Sequence, residues 1–345
     1  MQRHALIRAS LEALSLARAP LWLPAGHEAS GFVITLHHVR PARPSPFDPN
    51  GLLSITPDFL DRMLGNFIAK GWRFVSVEEL VADVSRVPNP RRIAVTLDDG
   101  YRNNLEHALP VFRKHAVPFT IFVCPGFAER TAELWWEALE RIIAKVDTLG
   151  SPGEGAAPPL STRTPQEKQA AFQLWRDWLT TVADETRQRV AIRALAAIHG
   201  LDLAALASEL VMDWRETRAI AADPLCSIGA HTMTHAALAR LPKEDALREI
   251  QESVARIAVE VGTRPKSLAF PYGYPSAAGS REAGLAEKAG LLASFTTQPG
   301  YVPVAGSRHG LPRVSVNGLF QRVRYMEVLL SPGLWRLRDQ VRKLR

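Results

Sequence analysis

The run Arg92-Ile93-Ala94-Val95-Thr96-Leu97 passes directly into Asp98-Asp99-Gly100-Tyr101. After Arg92, its next five residues are apolar or β-branched without polar alternation, the pattern of a strand covered on both faces in a parallel sheet. Two adjacent carboxylates then stand where α/β folds keep their sites, at the carboxyl end of a strand, and Gly100 permits a sharp exit. Alone, Asp-Asp-Gly is as readily an ordinary solvated turn, because Asp and Gly dominate turns. The rest of the chain has to decide.

Working outward, similar short runs recur at Phe32–Leu36, Phe119–Val123, Cys226–Ala230, Ser267–Phe270, Leu292–Thr296 and Pro312–Val316, with a shorter one near Arg73–Ser76. Helical patterns lie between them: Pro57–Lys70 behind an N-capping Thr56, Asn104–His115, and Pro242–Val261 stopped by Gly262. Alternating strand–helix units predict an α/β sheet or barrel. Residues 131–222 break the rhythm and read as a helical insertion without strands, with helices at Glu133–Lys145, Gln166–Val182 and Glu185–His199 and a Pro/Gly/Ser-rich linker at Ser151–Pro165. The expected organisation is an N-terminal helical segment (1–30), a barrel (31–318) holding that insertion, and a helical tail (319–345) broken near Pro332–Gly333.

Three more strand ends carry chemistry. Gly229-Ala230-His231-Thr232-Met233-Thr234-His235 follows the Cys226 strand, and two histidines four apart on a helical turn can share a metal. Two histidines and an Asp make the three protein ligands of an open catalytic site; a lone pair of this spacing is more often a helix start with one packed histidine. Leu268-Ala269-Phe270-Pro271-Tyr272-Gly273 offers the Tyr272 N–H as an oxyanion donor, since Pro271 has none. Leu36-His37-His38-Val39 places histidines, potential general acids, at the end of the first strand. Four features at four strand ends are far less expected by chance than any one.

The order Thr96-Leu97-Asp98-Asp99-Gly100-Tyr101, His231-Thr232-Met233-Thr234-His235, Phe270-Pro271-Tyr272-Gly273 resembles the polysaccharide deacetylase family, the fourth carbohydrate esterase family with its NodB-like domain. The placing of Leu36-His37-His38-Val39 ahead of the Asp-Asp motif resembles most its poly-N-acetylglucosamine deacetylase branch. The resemblance covers about residues 32–124 and 213–316. It implies a distorted (β/α)7-type barrel and a divalent metal, zinc by preference, on Asp99, His231 and His235. It further implies Asp98 as general base, the Tyr272 N–H on the oxyanion and His37 as the acid for the leaving amine, with His38 as the neighbouring alternative. One departure stands out. The third motif of the family begins with an arginine that orients the base, and here that position is Ala269. Arg313 is the expected substitute from another strand, and His309 is a further candidate acid.

Composition limits the partners. The chain has 345 residues, 46% hydrophobic and 22% charged, with a net charge of +7. From Leu311 onward there are eight cations and two anions, so nearly all of that charge sits in the tail and the barrel is close to neutral. With no nucleic-acid module in sight, the expected substrate is a glycan or glycolipid; the basic tail with its interleaved leucines reads first as the solvated face of a helix packed on the barrel, with peripheral contact with an anionic membrane as the alternative. Cys124 and Cys226 read as buried reduced thiols. Glu12 and Arg18 interrupt the apolar stretch near the N-terminus, which predicts a surface helix and a cytoplasmic location, peripheral to the inner membrane face. The expected activity is removal of N-acetyl groups from an N-acetylhexosamine-containing substrate. The alternatives are hydrolysis of another non-peptide C–N bond and an inactive carbohydrate-binding barrel.

Overall fold

The computed structural model describes residues 2–23, 29–82, 88–153 and 157–343; part of the Ser151–Pro165 linker (154–156) and the last two residues of the tail lie outside the described residues. Nine strands form the main sheet: Arg73–Val75 and Val302–Pro303 are short additions to it, and the other seven are β1 (Ala29–Leu36), β2 (Arg92–Leu97), β3 (Phe119–Val123), β4 (Cys226–Ala230), β5 (Ser267–Ala269), β6 (Ala293–Phe295) and β7 (Val314–Ser315). These seven are parallel and neighbour one another in chain order from β1 to β6, while β7 returns to pair with the outer side of β1 at Ile34 and Thr35. Leu311, just ahead of β7, bridges in parallel to Phe295 of β6, and the Arg313 N–H donates to the Gln298 carbonyl at 3.0 Å. The segment 311–315 therefore closes the ring, and the distorted (β/α)7 barrel expected from the sequence is the fold.

Strand alternation sorts the core. Phe32, Ile34 and Leu36 of β1, Ile93, Val95 and Leu97 of β2 and Phe119, Ile121 and Val123 of β3 pack outward against the helices. After the N-terminal helix α1 (Gln2–Leu16), those helices include α2 (Pro57–Ala69), which begins at a Thr56 cap (Phe59 N–H to Thr56 Oγ1, 3.2 Å), and α3 (Leu109–His115). The intervening residues Val33, Ala94 and Phe122 join Ala269 and Phe295 in a smaller inner cluster. Thr35, Thr96 and Thr120, neighbours in register across β1, β2 and β3, are buried polar residues among these inner positions.

Several elements differ from the sequence reading. The last strand covers two residues of the expected Pro312–Val316, because only that part faces β1. The Asn104–His115 helix opens with a wide π-helical turn at Asn104–Ala108, just ahead of Pro110, which has no N–H to give to a regular turn. The insertion is not free of strand: Thr148–Leu149 and Leu160–Ser161 pair antiparallel across the linker. Otherwise it is helical, with α4 (Trp135–Lys145), α5 (Pro165–Asp177) and α6 (Glu185–Ile198), and α5 gives way to a second wide turn at Trp178–Val182. Its own core includes Trp136, Phe172, Trp175, Leu179 and Ile192.

The long helix α7 (Lys243–Val261) ends at Gly262 in the left-handed region, as its sequence indicates. The tail forms α8 (Val323–Leu329) and α9 (Pro332–Lys343). Leu330 and Trp335 of the tail pack into the main core, while Leu337 and Val341 stay 48% and 45% exposed. The N-terminal helix Gln2–Leu16 lies against α8, with Leu11 packed beside Tyr325 and Val328 and Glu12 accepting from Tyr325, Arg322 and Arg324. No single helix among the described residues is long and apolar enough to cross a membrane.

Candidate active site

β2 delivers its two carboxylates in opposite senses. The Asp98 N–H donates to the Leu36 carbonyl at 2.9 Å, continuing the β1–β2 ladder one residue past the strand. Asp99 and Gly100 then both take positive φ (70° and 72°), which turns the Asp99 side chain away from that of Asp98. An Asp tolerates the left-handed region better than most residues because its short polar side chain crowds little.

Asp98 meets Arg313, which is fully buried inside the barrel. Nη1 to Oδ1 is 2.7 Å and Nη2 to Oδ2 is 2.8 Å, a two-pronged pairing. Arg313 is itself fixed by Nε to the Thr296 carbonyl (3.0 Å) and Nη1 to Thr96 Oγ1 (3.1 Å). Thr35 Oγ1 donates to Asp98 Oδ2 at 3.3 Å, and His37 Nε2 lies 3.9 Å from the same oxygen. Burial works against the Asp98 carboxylate, but the charge of Arg313 and then that of His231 outweigh it and hold its pKa below the usual value. The guanidinium missing at Ala269 thus reaches the carboxylate from β7.

Asp99 faces His231 and His235, whose Nε2 atoms lie 3.4 and 3.3 Å from its Oδ1. The three ligand atoms lie within 4.8 Å of one another, and the side chains are buried. The two histidines do not sit on a helical turn as the spacing suggests. They belong to a loop in which Thr232 and His235 have positive φ (both 59°), held by Gly126 N–H on the Met233 carbonyl and by Glu249 on the Thr234 N–H and hydroxyl. His231 Nδ1 is 2.8 Å from the Ala269 carbonyl. A carbonyl only accepts, so Nδ1 carries the proton and Nε2 turns toward Asp99.

The donor set fits a divalent cation. Asp99 Oδ1 is buried with no hydrogen-bond donor, and neutral imidazoles direct lone pairs toward it. Burial opposes charge on His231, yet the neighbouring carboxylates of Asp99 and Asp98 raise its pKa, so the pocket favours positive charge. His235 responds differently: burial among Phe127, Trp136 and Tyr272 lowers its pKa. Asp99 is desolvated too, but its two histidines hold it well below the usual carboxylate range. Among the described residues no other group of three His, Cys, Asp or Glu side chains converges in this way.

The remaining sequence candidates separate cleanly. His37 is beside Asp98 and partly open, its side chain 20% exposed. His38 is fully buried and turned elsewhere: Nε2 contacts Glu137 Oε1 at 3.1 Å, Asn103 Nδ2 donates to Nδ1 at 2.8 Å, and its ring lies 3.6 Å from that of Tyr101. Burial lowers the pKa of His38. His309 lines a groove with Ser280, Glu287 and Gln298, away from the cluster. Tyr272 has φ 61°, followed by Gly273 at 63°, where a Cβ would sit 2.4 Å from the Thr297 nitrogen, so only glycine fits. The Tyr272 carbonyl accepts from Thr297 Oγ1 at 2.6 Å and its hydroxyl accepts from Trp135 Nε1 at 2.8 Å. Trp136 was less legible: its ring lies 5.0 Å from His235, and only the doubled tryptophan at 135–136 signals it in the sequence.

Comparisons place this architecture among known proteins. The fold is similar to a Streptococcus pyogenes deacetylase, PplD, solved with acetate (TM-score 0.56, 15% identity, 87% of this chain and 97% of that one). It is also similar to IcaB from Ammonifex degensii (TM-score 0.52, 17% identity, 89% and 97%) and to the BpsB deacetylase domain from Bordetella bronchiseptica (TM-score 0.50, 15% identity, 84% and 97%). At such identities the likeness is one of fold. No curated protein matches the chain. The sequence model for polysaccharide deacetylases matches residues 85–291, from just before β2 to the threshold of β6. Because that match takes in more than half of the chain and both clusters of acidic and histidine residues around the barrel mouth, the chain belongs to the polysaccharide deacetylase family, whose members hydrolyse amide C–N bonds.

Proposed function

We propose that this protein is a metal-dependent deacetylase that removes N-acetyl groups from an N-acetylhexosamine-containing glycan or glycolipid. The observation that carries the reading is the orphaned Asp99 Oδ1 between two imidazole Nε2 atoms, beside an Asp98 held by Arg313. Asp99, His231 and His235 would hold the metal, for which zinc is the proposed identity on the strength of the two-nitrogen, one-oxygen donor set. When bound, such a cation would make a nearby water far more acidic, toward neutrality, and would polarise an acyl oxygen.

The chain's own groups do the rest. Asp98 takes the proton of the attacking water, and Arg313 keeps it ionised and its oxygens oriented. The Tyr272 N–H donates to the acyl oxygen as charge develops there. His37 hands a proton to the departing amine, a task that its partial exposure and its place beside Asp98 suit. The lack of an arginine at Ala269 is the ground for a different amide substrate, and Arg313 weakens that ground by supplying the guanidinium. Contact with an anionic membrane is proposed for the tail in a narrower form, through Leu337, Val341 and the basic residues around them.

The test is direct. Purified protein is assayed for bound metal and for acetate release from N-acetylglucosamine oligomers, with Asp98→Asn alongside. Acetate release by wild type and its loss in the variant support the reading. Metal without acetate release from any glycan would overturn the substrate class, and undiminished release by the variant would overturn the base.

A further inference from the structure

The first turn of α4 belongs to the insertion, yet three consecutive side chains there each bind a different barrel-mouth loop. Trp135 Nε1 donates to Tyr272 Oη (2.8 Å), Trp136 Nε1 donates to Tyr101 Oη (2.9 Å), and Glu137 Oε1 receives His38 Nε2 (3.1 Å). Successive helix residues point about 100° apart, so one turn can fan three side chains toward three strand ends. All three are buried, and Asn50 Nδ2 on the Trp136 carbonyl (2.9 Å) anchors the same turn from a fourth segment.

Each clamped residue adjoins a group with an assigned task. Tyr272 carries the backbone donor, and its own left-handed conformation costs conformational energy and persists only if its surroundings hold it. Tyr101 follows Asp98-Asp99-Gly100. His38 follows His37, and its loop is tied further by Asn103 Oδ1 on the Val39 N–H (2.9 Å) and Asn104 Nδ2 on the His37 carbonyl (2.7 Å). We infer that Trp135, Trp136 and Glu137 are positioning residues, a clamp from the insertion that fixes the loops of His37, Asp98–Asp99 and Tyr272 relative to one another. The clamp rests on the roles proposed above for those loops. It makes the insertion a working part of the site rather than a decoration beside it.

The experiment removes single hydrogen bonds while keeping the rings. Trp135→Phe and Tyr272→Phe each delete the same bond, and Tyr101→Phe deletes that of Trp136. Glu137→Ala deletes the His38 contact, whereas Glu137→Gln keeps an acceptor there. Amide hydrogen exchange, read by mass spectrometry on peptides covering 36–39, 98–102 and 271–274, is the primary measurement. The clamp predicts that each deletion speeds exchange about fivefold in its own loop and leaves the other two unmoved, with Glu137→Gln close to wild type. Turnover falls about tenfold at constant KM, and Trp135→Phe combined with Tyr272→Phe falls no further than either alone. Unchanged exchange in the targeted loops, or additive losses in the double variant, would overturn the clamp. The exchange arm needs no substrate, so it decides the clamp even if no glycan amide is hydrolysed, an outcome that would instead sink the proposed activity.

Discussion

Arg313 and Asp98, 215 residues apart in sequence, meet through two N–H···O bonds of 2.7 and 2.8 Å inside the barrel. Removing one partner strands a charge where water cannot reach it. Arg313→Met is therefore expected to cost about 3–5 kcal/mol of stability, read by urea unfolding. Asp98→Asn in the same background should recover part of that loss, because the unpaired carboxylate is then gone; a double variant no more stable than Arg313→Met alone would contradict the pairing as the source.

The same pair sets a pH dependence. The folded-state pKa of Asp98 is lowered, so the carboxylate adds stability above its unfolded value of about 3.9, and that contribution is lost as pH falls through the lower folded value. The stability difference between wild type and Asp98→Asn should thus be level near neutrality and shrink only in acid. A difference that shrinks between pH 6 and 8, the range of an unperturbed histidine at about 6.5, would assign the linkage to an imidazole instead.

Metal should stabilise as well as activate. With free zinc at a hundredfold excess over its Kd, linkage predicts about 2.7 kcal/mol of added stability, visible as a higher Tm and removed by a chelator. Asp99→Asn, His231→Ala and His235→Ala are each expected to abolish the shift, whereas His309→Ala should keep it, since His309 lies in a different groove.

The two neighbouring histidines should behave in opposite ways. His37→Gln is expected to lower kcat by about 10²–10⁴-fold with Tm nearly unchanged, and less for an amide whose amine leaves without help. His38→Gln removes a buried partner of Glu137 and Asn103 and should show chiefly as lost stability. Reversal of the two phenotypes would move the acid role to His38.

The basic tail makes a simple prediction about surfaces. Sedimentation with vesicles containing phosphatidylserine, compared with neutral vesicles, should pull down more protein at low salt than at high salt. Replacing Leu337 and Val341 with serine should reduce it, because among the described residues of the tail those are large apolar side chains that the fold leaves exposed.

Much of the barrel was legible because β1, β2 and β3 are continuous apolar runs whose both faces are covered, and that pattern needs only local reading. Asp98, Asp99, His231, His235 and Tyr272 were legible because each follows such a run. What could not be read locally was conformation imposed from afar. The His231–His235 loop leaves the helix that its spacing suggests because Gly126 and Glu249 bind its backbone. β7 shortens to two residues because closure, not propensity, defines it. The separation of His37 from His38 depends on Glu137, one hundred residues later in an element that sequence reading had set apart from the site.

The segment that closes the ring is also the one that carries Arg313, and it comes last among the barrel strands. Shutting the barrel and pairing the Asp98 carboxylate are therefore one event. A nascent chain stopped before Leu311 keeps both aspartates and both histidines, yet its Asp98 has no guanidinium to hold it. The Asp98 carboxylate gains its buried partner only when the final strand docks, so the last step of barrel closure also completes the charge balance at its mouth.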